Sequence, residues 1–205
     1  MMTAEQKSAW LNERCGLLTA SRMKDAMDYR RDGKPGSFRV KLLHELLAER
    51  LTGLNVPHVV TPPMERGLEF EDEMFDAFVE LTGRDVRLSR FYKHPDIEYF
   101  GATPDRELDD GLMEGKIPGI GKFIEWKLAG GVPEEHKPQL LAQLACSGKK
   151  WTGFVAYCPE MPEPRHRLFL AKFEPKPEEI AAVEDAARTF LAELDAMFER
   201  FTEAA

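Results

Sequence analysis

Asp105 follows Pro104 in the run Gly101-Ala102-Thr103-Pro104-Asp105, and twenty positions on, Glu125 and Lys127 flank Trp126 in Phe123-Ile124-Glu125-Trp126-Lys127-Leu128. Strand side chains alternate between faces, so a strand over 123–128 sets Phe123, Glu125 and Lys127 on one side and Ile124, Trp126 and Leu128 on the other. The apolar triplet can then face a core while Glu125 and Lys127 stand side by side. Gly111, Gly115, Gly119 and Gly121 predict a turn-rich connection that brings Asp105 near them. Two carboxylates and an ammonium on one small patch suit a hard divalent cation, beside a lysine that stabilises or helps deprotonate an attacking water. That is the chemistry of phosphodiester hydrolysis. The same residue types also occur as a plain turn and an exposed strand face, so the arrangement must be weighed with its surroundings.

The elements that would position these groups can be read from periodicity. Thr3 to Leu11 reads as a short helix, and Thr19 or Ser21 can cap a helix running to about Met27, with Arg14 just before it as a ready anion site. Val40, Leu42, Leu43, Leu46, Leu47 and Leu51 recur at helical spacing up to Gly53. After an extended, proline-rich Val56 to Pro63, a helix spans about Met64 to Leu81. On it Glu71 falls within an apolar face of Met64, Gly67, Met74, Phe75 and Phe78, where a carboxylate is costly unless it holds a metal or pairs with a buried arginine. Strands at 85–93 and 99–102 feed Asp105. A helix over 134–147 carries Gln139 and Gln143, strands follow at 151–157 and 167–173, and a long amphipathic helix covers 176–201.

Composition bounds the function. The 205 residues are 43% hydrophobic, enough for one sizeable domain over 1–205, and contain no apolar run of membrane-spanning length. Met1 to Trp10 lacks the apolar region of a signal peptide, so a cytoplasmic protein with no membrane association is expected. Cys15, Cys146 and Cys158 show no metal-ligand spacing. A net charge of −8 argues against a broad basic surface for nucleic acid, but a local patch suffices to grip DNA. Arg30, Arg31, Lys34, Arg39 and Lys41 form the clearest one.

Pro-Asp, a spacer and Glu-x-Lys resemble the PD-(D/E)xK nuclease motif. The order of the pieces carries a closer resemblance. Leu17-Leu18-Thr19-Ala20-Ser21 after Arg14, Arg66-Gly67-x-x-x-Glu71, Ala102-Thr103-Pro104-Asp105, Glu125-Trp126-Lys127 and Leu141-Ala142-Gln143 are together similar to the phage lambda exonuclease and YqaJ-type recombinase family, over about residues 10–173. The resemblance implies an α/β (α+β) fold with a restriction-endonuclease-like core, a central mixed β-sheet flanked by helices. It implies a 5′-to-3′ exonuclease that acts on ends of linear double-stranded DNA with two Mg2+ ions, for which Mn2+ can substitute. By the same resemblance Glu71, Asp105, Glu125, Lys127 and Gln143 are catalytic. Asp105, Glu125, the Trp126 carbonyl and Glu71 hold metal, and Arg14, Ser21 and Thr103 bind the 5′-phosphate. A trimeric ring, a single-strand annealing partner and a phage or prophage origin in a bacterial host are implied as well. The C-terminal helix has no family motif. Two other readings use the same core: a structure- or sequence-selective endonuclease, and a non-catalytic module that binds DNA ends.

Overall fold

The structure, a computed structural model that describes residues 12–57 and 60–204, divides its strands between two sheets. The helix expected at Thr3 to Leu11 lies outside the described residues. β1 (Leu18–Thr19) leads through a short helical turn into α1 (Met23–Ala26), and α2 spans Ser37–Thr52. α3 covers Pro62–Thr82, starting two residues earlier than expected because prolines are tolerated in a first turn, and it ends at Gly83 in the left-handed region. Then come β2 (Arg87–Leu88), β3 (Tyr92–Lys93), β4 (Phe100–Ala102), β5 (Arg106–Glu107) and β6 (Leu112–Lys116). α4 (Ile120–Ala129) and α5 (Lys137–Ser147) precede β7 (Thr152–Tyr157) and β8 (Leu168–Phe173), and α6 (Pro177–Glu203) ends the chain.

The larger sheet has the order β2-β5-β6-β7-β8 and is mixed: β6 and β7 run parallel, the other pairs antiparallel. A parallel pair needs a crossover, which α4 and α5 supply. The smaller sheet, β1-β4-β3, pairs β1 parallel to β4, with Leu18 opposite Phe100 and Thr19 opposite Gly101. The expected mixed sheet flanked by helices is therefore the architecture observed.

Alternation along β6 decides which helix covers which face. Leu112, Glu114 and Lys116 point to the α5 side, where Leu112 shares a core with Ala142 and Leu144. Met113 points the other way, into a core with Met74, Phe75 and Phe78 of α3. Gly115 lies on this second face, where a Cβ would meet Met74 Cε at 2.0 Å and Phe75 Cζ at 3.3 Å. The missing side chain is what lets α3 close on the sheet here.

α6 packs within the subunit. Its Val183, Ala187, Phe190, Leu191 and Leu194 are buried in one core with residues of α1, α2 and α5. The apolar face of α6 is therefore occupied by its own chain. Arg39 is 1% exposed and ties three helices together, donating to the Ala26 carbonyl and pairing with Glu193 at 2.6 Å, with Tyr29 and Phe190 against its guanidinium.

The tight approach at Gly115 sets an expected outcome. Gly115→Ala should lower stability by about 1–3 kcal/mol through overpacking. In the Met74→Ala background, where the clashing methyl is gone, the same change should cost clearly less, and urea unfolding of the four proteins in the cycle measures the difference. Additive effects would mean that the two residues are not in close contact.

Candidate active site

The segment 123–128 is not a strand. Phe123 and Trp126 are the buried positions of α4 and stand three apart, while Ile120, Ile124 and Leu128 form an exposed row at helical spacing. Six residues of alternation cannot separate a strand from part of a helix, and Gly119 before and Gly130 after, the latter at φ 76°, delimit a helix of ten residues. The expected site loses three residues as a result. Glu125 is exposed and pairs with Lys122 at 3.3 Å. Lys127 donates to the carbonyls of His166 and Leu168 at 2.9 and 3.0 Å. The Trp126 carbonyl accepts the Gly130 N–H that closes the helix.

A second Glu-x-Lys stands closer to Asp105. Glu114 and Lys116 occupy one face of β6, and the backbone N–H of Gly115, between them, donates to Asp105 Oδ2 at 2.8 Å. Asp109-Asp110-Gly111 makes the turn, and Ile117-Pro118-Gly119 ends the strand. The signal was therefore present in the sequence: Leu112-Met113-Glu114-Gly115-Lys116 is a short strand between two breakers, with Glu114 nine positions after Asp105.

Glu114 is 2% exposed, and three donors hold it. Its Oε1 accepts from Lys116 Nζ at 2.5 Å and from Gln139 Nε2 at 2.6 Å, and its Oε2 accepts from Gln143 Nε2 at 2.5 Å. The two glutamines are one helical turn apart on α5, which places both amides over the same carboxylate. A carboxylate has about four acceptor positions, so Glu114 keeps one. Asp105 Oδ1 accepts no hydrogen bond from the described residues, and Gln143 Oε1 is buried without a partner.

The charges of this cluster act strongly on one another. Burial, reinforced by the Glu114 charge, pushes the Asp105 carboxyl up to about 8, although Lys116 and the Gly115 N–H oppose the rise. Burial alone would lower Lys116, but Glu114, Asp105 and Glu71 together raise it above the ordinary lysine value, so it remains an ammonium. Two acidic groups forced together beyond what one ammonium neutralises match the needs of a dication. Among the described residues no three His, Cys, Asp or Glu side chains form a ready-made metal cage. Mg2+ does not require one, since it is usually held by one or two carboxylates with waters and substrate oxygens. The donor set fits such an ion.

Glu71 reaches the edge of this cluster but is satisfied by the buried arginine that its sequence position allowed for. Arg106 donates to Glu71 Oε1, to the Asp105 carbonyl at 2.9 Å and to Asp72 Oδ1 at 2.8 Å, with its guanidinium 4.6 Å from the Phe75 ring centroid. Glu71 is thus tied to Asp105 through one guanidinium.

On the other side, Arg14 donates to Thr103 Oγ1 and lies over the Phe91 ring at 5.2 Å. Burial lowers the Arg14 guanidinium to about 10, still charged at neutral pH. The structure brings Arg14 and Thr103 together two residues before Asp105. Ser21 is exposed and its hydroxyl is 3.2 Å from that of Thr19, the last residue paired with β4. In the basic cluster, Arg39 is buried and cannot touch phosphate, and Arg30 pairs with Asp32 at 3.1 Å. Arg31, Lys34 and Lys41 are exposed.

No helix among the described residues is long and apolar enough to cross a membrane. A profile of the YqaJ-like viral recombinase domain matches residues 9–150. No curated protein sequence matches the chain. Among solved structures, an alkaline exonuclease (LHK-Exo) from Laribacter hongkongensis is 32% identical, with 96% of this chain and 97% of that one covered and a TM-score of 0.87. The same enzyme solved with dAMP matches equally well. A phage-related exonuclease from Haemophilus somnus 129PT shares the fold at a TM-score of 0.71 and 11% identity, over 90% of this chain and 96% of its own. With the family profile spanning most of its length and every element of the β6 site inside that span, the chain belongs to the YqaJ-like viral recombinase family.

Proposed function

We propose that the chain is a Mg2+-dependent exonuclease that degrades one strand of linear double-stranded DNA from the 5′ end, leaving 3′ single strands for recombination. The observation that carries this reading is the meeting of Asp105, Glu114 and Lys116 around the Gly115 peptide, in a chain whose 32% identical relative is an alkaline exonuclease. Asp105 and Glu114 would hold Mg2+, with the Gly115 carbonyl on the same strand edge as the N–H that meets Asp105. When bound, the ion would supply Lewis-acid polarisation of the scissile phosphate and lower the pKa of a bound water.

The chain's own groups do the rest. Gln139 and Gln143 fix the Glu114 carboxylate so that its remaining lone pair has one direction. Lys116, an ammonium anchored on Glu114, stabilises the charge that develops on the phosphate oxygens; its raised pKa supports this role over that of a general base. Arg106 holds Glu71 aligned beside Asp105. Arg14 with Thr103, next to Asp105, is suited to a terminal 5′-phosphate, because a guanidinium and a hydroxyl both donate to phosphate oxygens. The function is tested by digesting linear duplex with and without a 5′-phosphate beside closed circular duplex. Cleavage of the circle would point to an endonuclease.

The residues give sharper outcomes. Asp105→Asn and Glu114→Gln should each lower cleavage by about a hundredfold or more while the fold persists, because a metal ligand and transition-state charge stabilisation are lost together. Glu125→Gln and Lys127→Ala should cleave at near the wild-type rate. Loss of activity in Glu125→Gln with Glu114→Gln still active would return the site to α4.

Arg14→Ala should slow digestion of 5′-phosphorylated duplex and shrink its advantage over 5′-hydroxyl duplex, since the deleted guanidinium contacts only the former. An unchanged preference would remove Arg14 from the end pocket.

Asp105 also predicts a pH dependence. Its folded pKa of about 8 exceeds the unfolded carboxyl value, so the metal-free native state binds the proton more tightly. The stability from this group is full below the unfolded value, falls as pH rises from about 4 and is lost above about 8. Asp105→Asn should therefore melt higher than metal-free wild type at pH 8.5, and the gap should close at pH 5. Millimolar Mg2+ should raise the wild-type melting temperature more at pH 8.5 than at pH 6, where a proton must first be displaced. Equal shifts at both pH values would separate Asp105 from the ion.

A further inference from the structure

His136 closes the short turn Glu134–His136 that leads into α5. Its ring meets the Trp126 indole edge to face, with centroids 5.1 Å apart and planes at 87°, and its centroid is 5.2 Å from that of Phe154. Trp126 in turn packs on Phe154 at 5.5 Å. Within this group of rings two nitrogens, Trp126 Nε1 and His136 Nε2, are buried with no hydrogen-bond partner among the described residues. A native fold rarely leaves such atoms unsatisfied, and the two rings that carry them are in contact.

The rings border the face of β6 that carries the site. Phe154 stands opposite Glu114 and Ala156 opposite Lys116 in the parallel register, and Phe154 and Ala156 share a core with Trp126. The charges of Lys116 and Glu114 both act on His136. Burial, with the Lys116 ammonium adding to it, lowers the imidazole to about 4, so it is neutral at neutral and alkaline pH and offers one donor and one acceptor. The indole can only donate, so any partner that the two rings share must accept. Lys116 has three donor hydrogens and, among the described residues, gives its one hydrogen bond to Glu114.

We propose that Trp126 Nε1 and His136 Nε2 together hold one solvent molecule against Lys116, which makes His136 a positioning residue for that ammonium. The proposal rests on the reading of Lys116 as the group that faces the reacting phosphate. A water can accept from the indole and from Lys116 and donate to the imidazole, giving it the three partners typical of buried water. The long lysine side chain then has two anchors, the Glu114 carboxylate and the water, and its direction is fixed.

The test uses the full chain and two substitutions. His136→Phe keeps the ring packing and removes the nitrogen, and His136→Gln restores a polar atom of similar reach. His136→Phe should melt close to wild type and keep the KM for linear duplex, while kcat falls roughly tenfold to a hundredfold through misplacement of the ammonium. His136→Gln should recover most of the loss. A crystal structure of the metal-free wild type should place a solvent atom within hydrogen-bond distance of both ring nitrogens. An unchanged kcat in His136→Phe, a His136→Gln variant no better than His136→Phe, or rings packed with no solvent between them would each overturn the proposal. Lys116→Met separates the two levels: if it cleaves normally, the reading of the active site fails. If it is inactive while His136→Phe is normal, only this proposal fails.

Discussion

A carboxylate at the floor of a packed sheet is the constraint on which the rest of this structure depends. Glu114 is almost fully buried, and an ionised carboxylate there is tolerable only if donors surround it. Two glutamines from α5 and the ammonium of Lys116 meet that demand. For both amides to arrive, α5 must lie flat on the β6–β7 face, and for β7 to run parallel beside β6 the chain must cross over through α4 and α5. The crossover, the register and the helix that covers the sheet are thus tied to one side chain. The opposite face answers with the reverse device: Gly115 has no side chain, and α3 closes on it.

The same tension runs through the cluster around the Gly115 peptide. Asp105 and Glu114 are brought together by a backbone hydrogen bond and a short turn, and one ammonium offsets only part of their repulsion. Arg106 offsets Glu71 but points its remaining donors at Asp72 and the Asp105 carbonyl rather than at the carboxyl groups in the centre. The balance of charge is left negative where acceptors are free. An overall charge of −8 does not conflict with a polyanionic substrate if the excess is concentrated in such clusters and on outer faces.

Much of this was legible in the sequence, for identifiable reasons. Asp105 follows a proline and precedes a glycine-bearing segment, a turn signature that survives in the fold. Glu71 was marked by an apolar helix face, and Gln139 and Gln143 by their one-turn spacing on a helix; both helices are present. The long α2 and α6 helices and the last two strands also follow their patterns. The pair Glu125 and Lys127 misled because alternation over six residues also fits a helix with buried Phe123 and Trp126. The true strand was hidden because β6 is only five residues long and contains a glycine, which reads as a turn until the packing of Met74 shows why it is there. The burial of Arg39 was hidden for a different reason: a charge beside Arg30 and Arg31 looks solvated unless the partner on α6, far away in sequence, is known.

The two hydrogen bonds of Lys127 have a consequence for the sheet. Among the described residues β8 pairs only with β7 and so borders the larger sheet, and borders expose peptide groups that can recruit another strand. By donating to the carbonyls of His166 and Leu168, where β8 begins, Lys127 occupies acceptors at the entrance to that border and sets a positive charge beside them. A passing extended chain would have to displace both bonds to begin zipping along the sheet. The consequence of that one amine is thus a covered entrance to the sheet border rather than a row of bare acceptors.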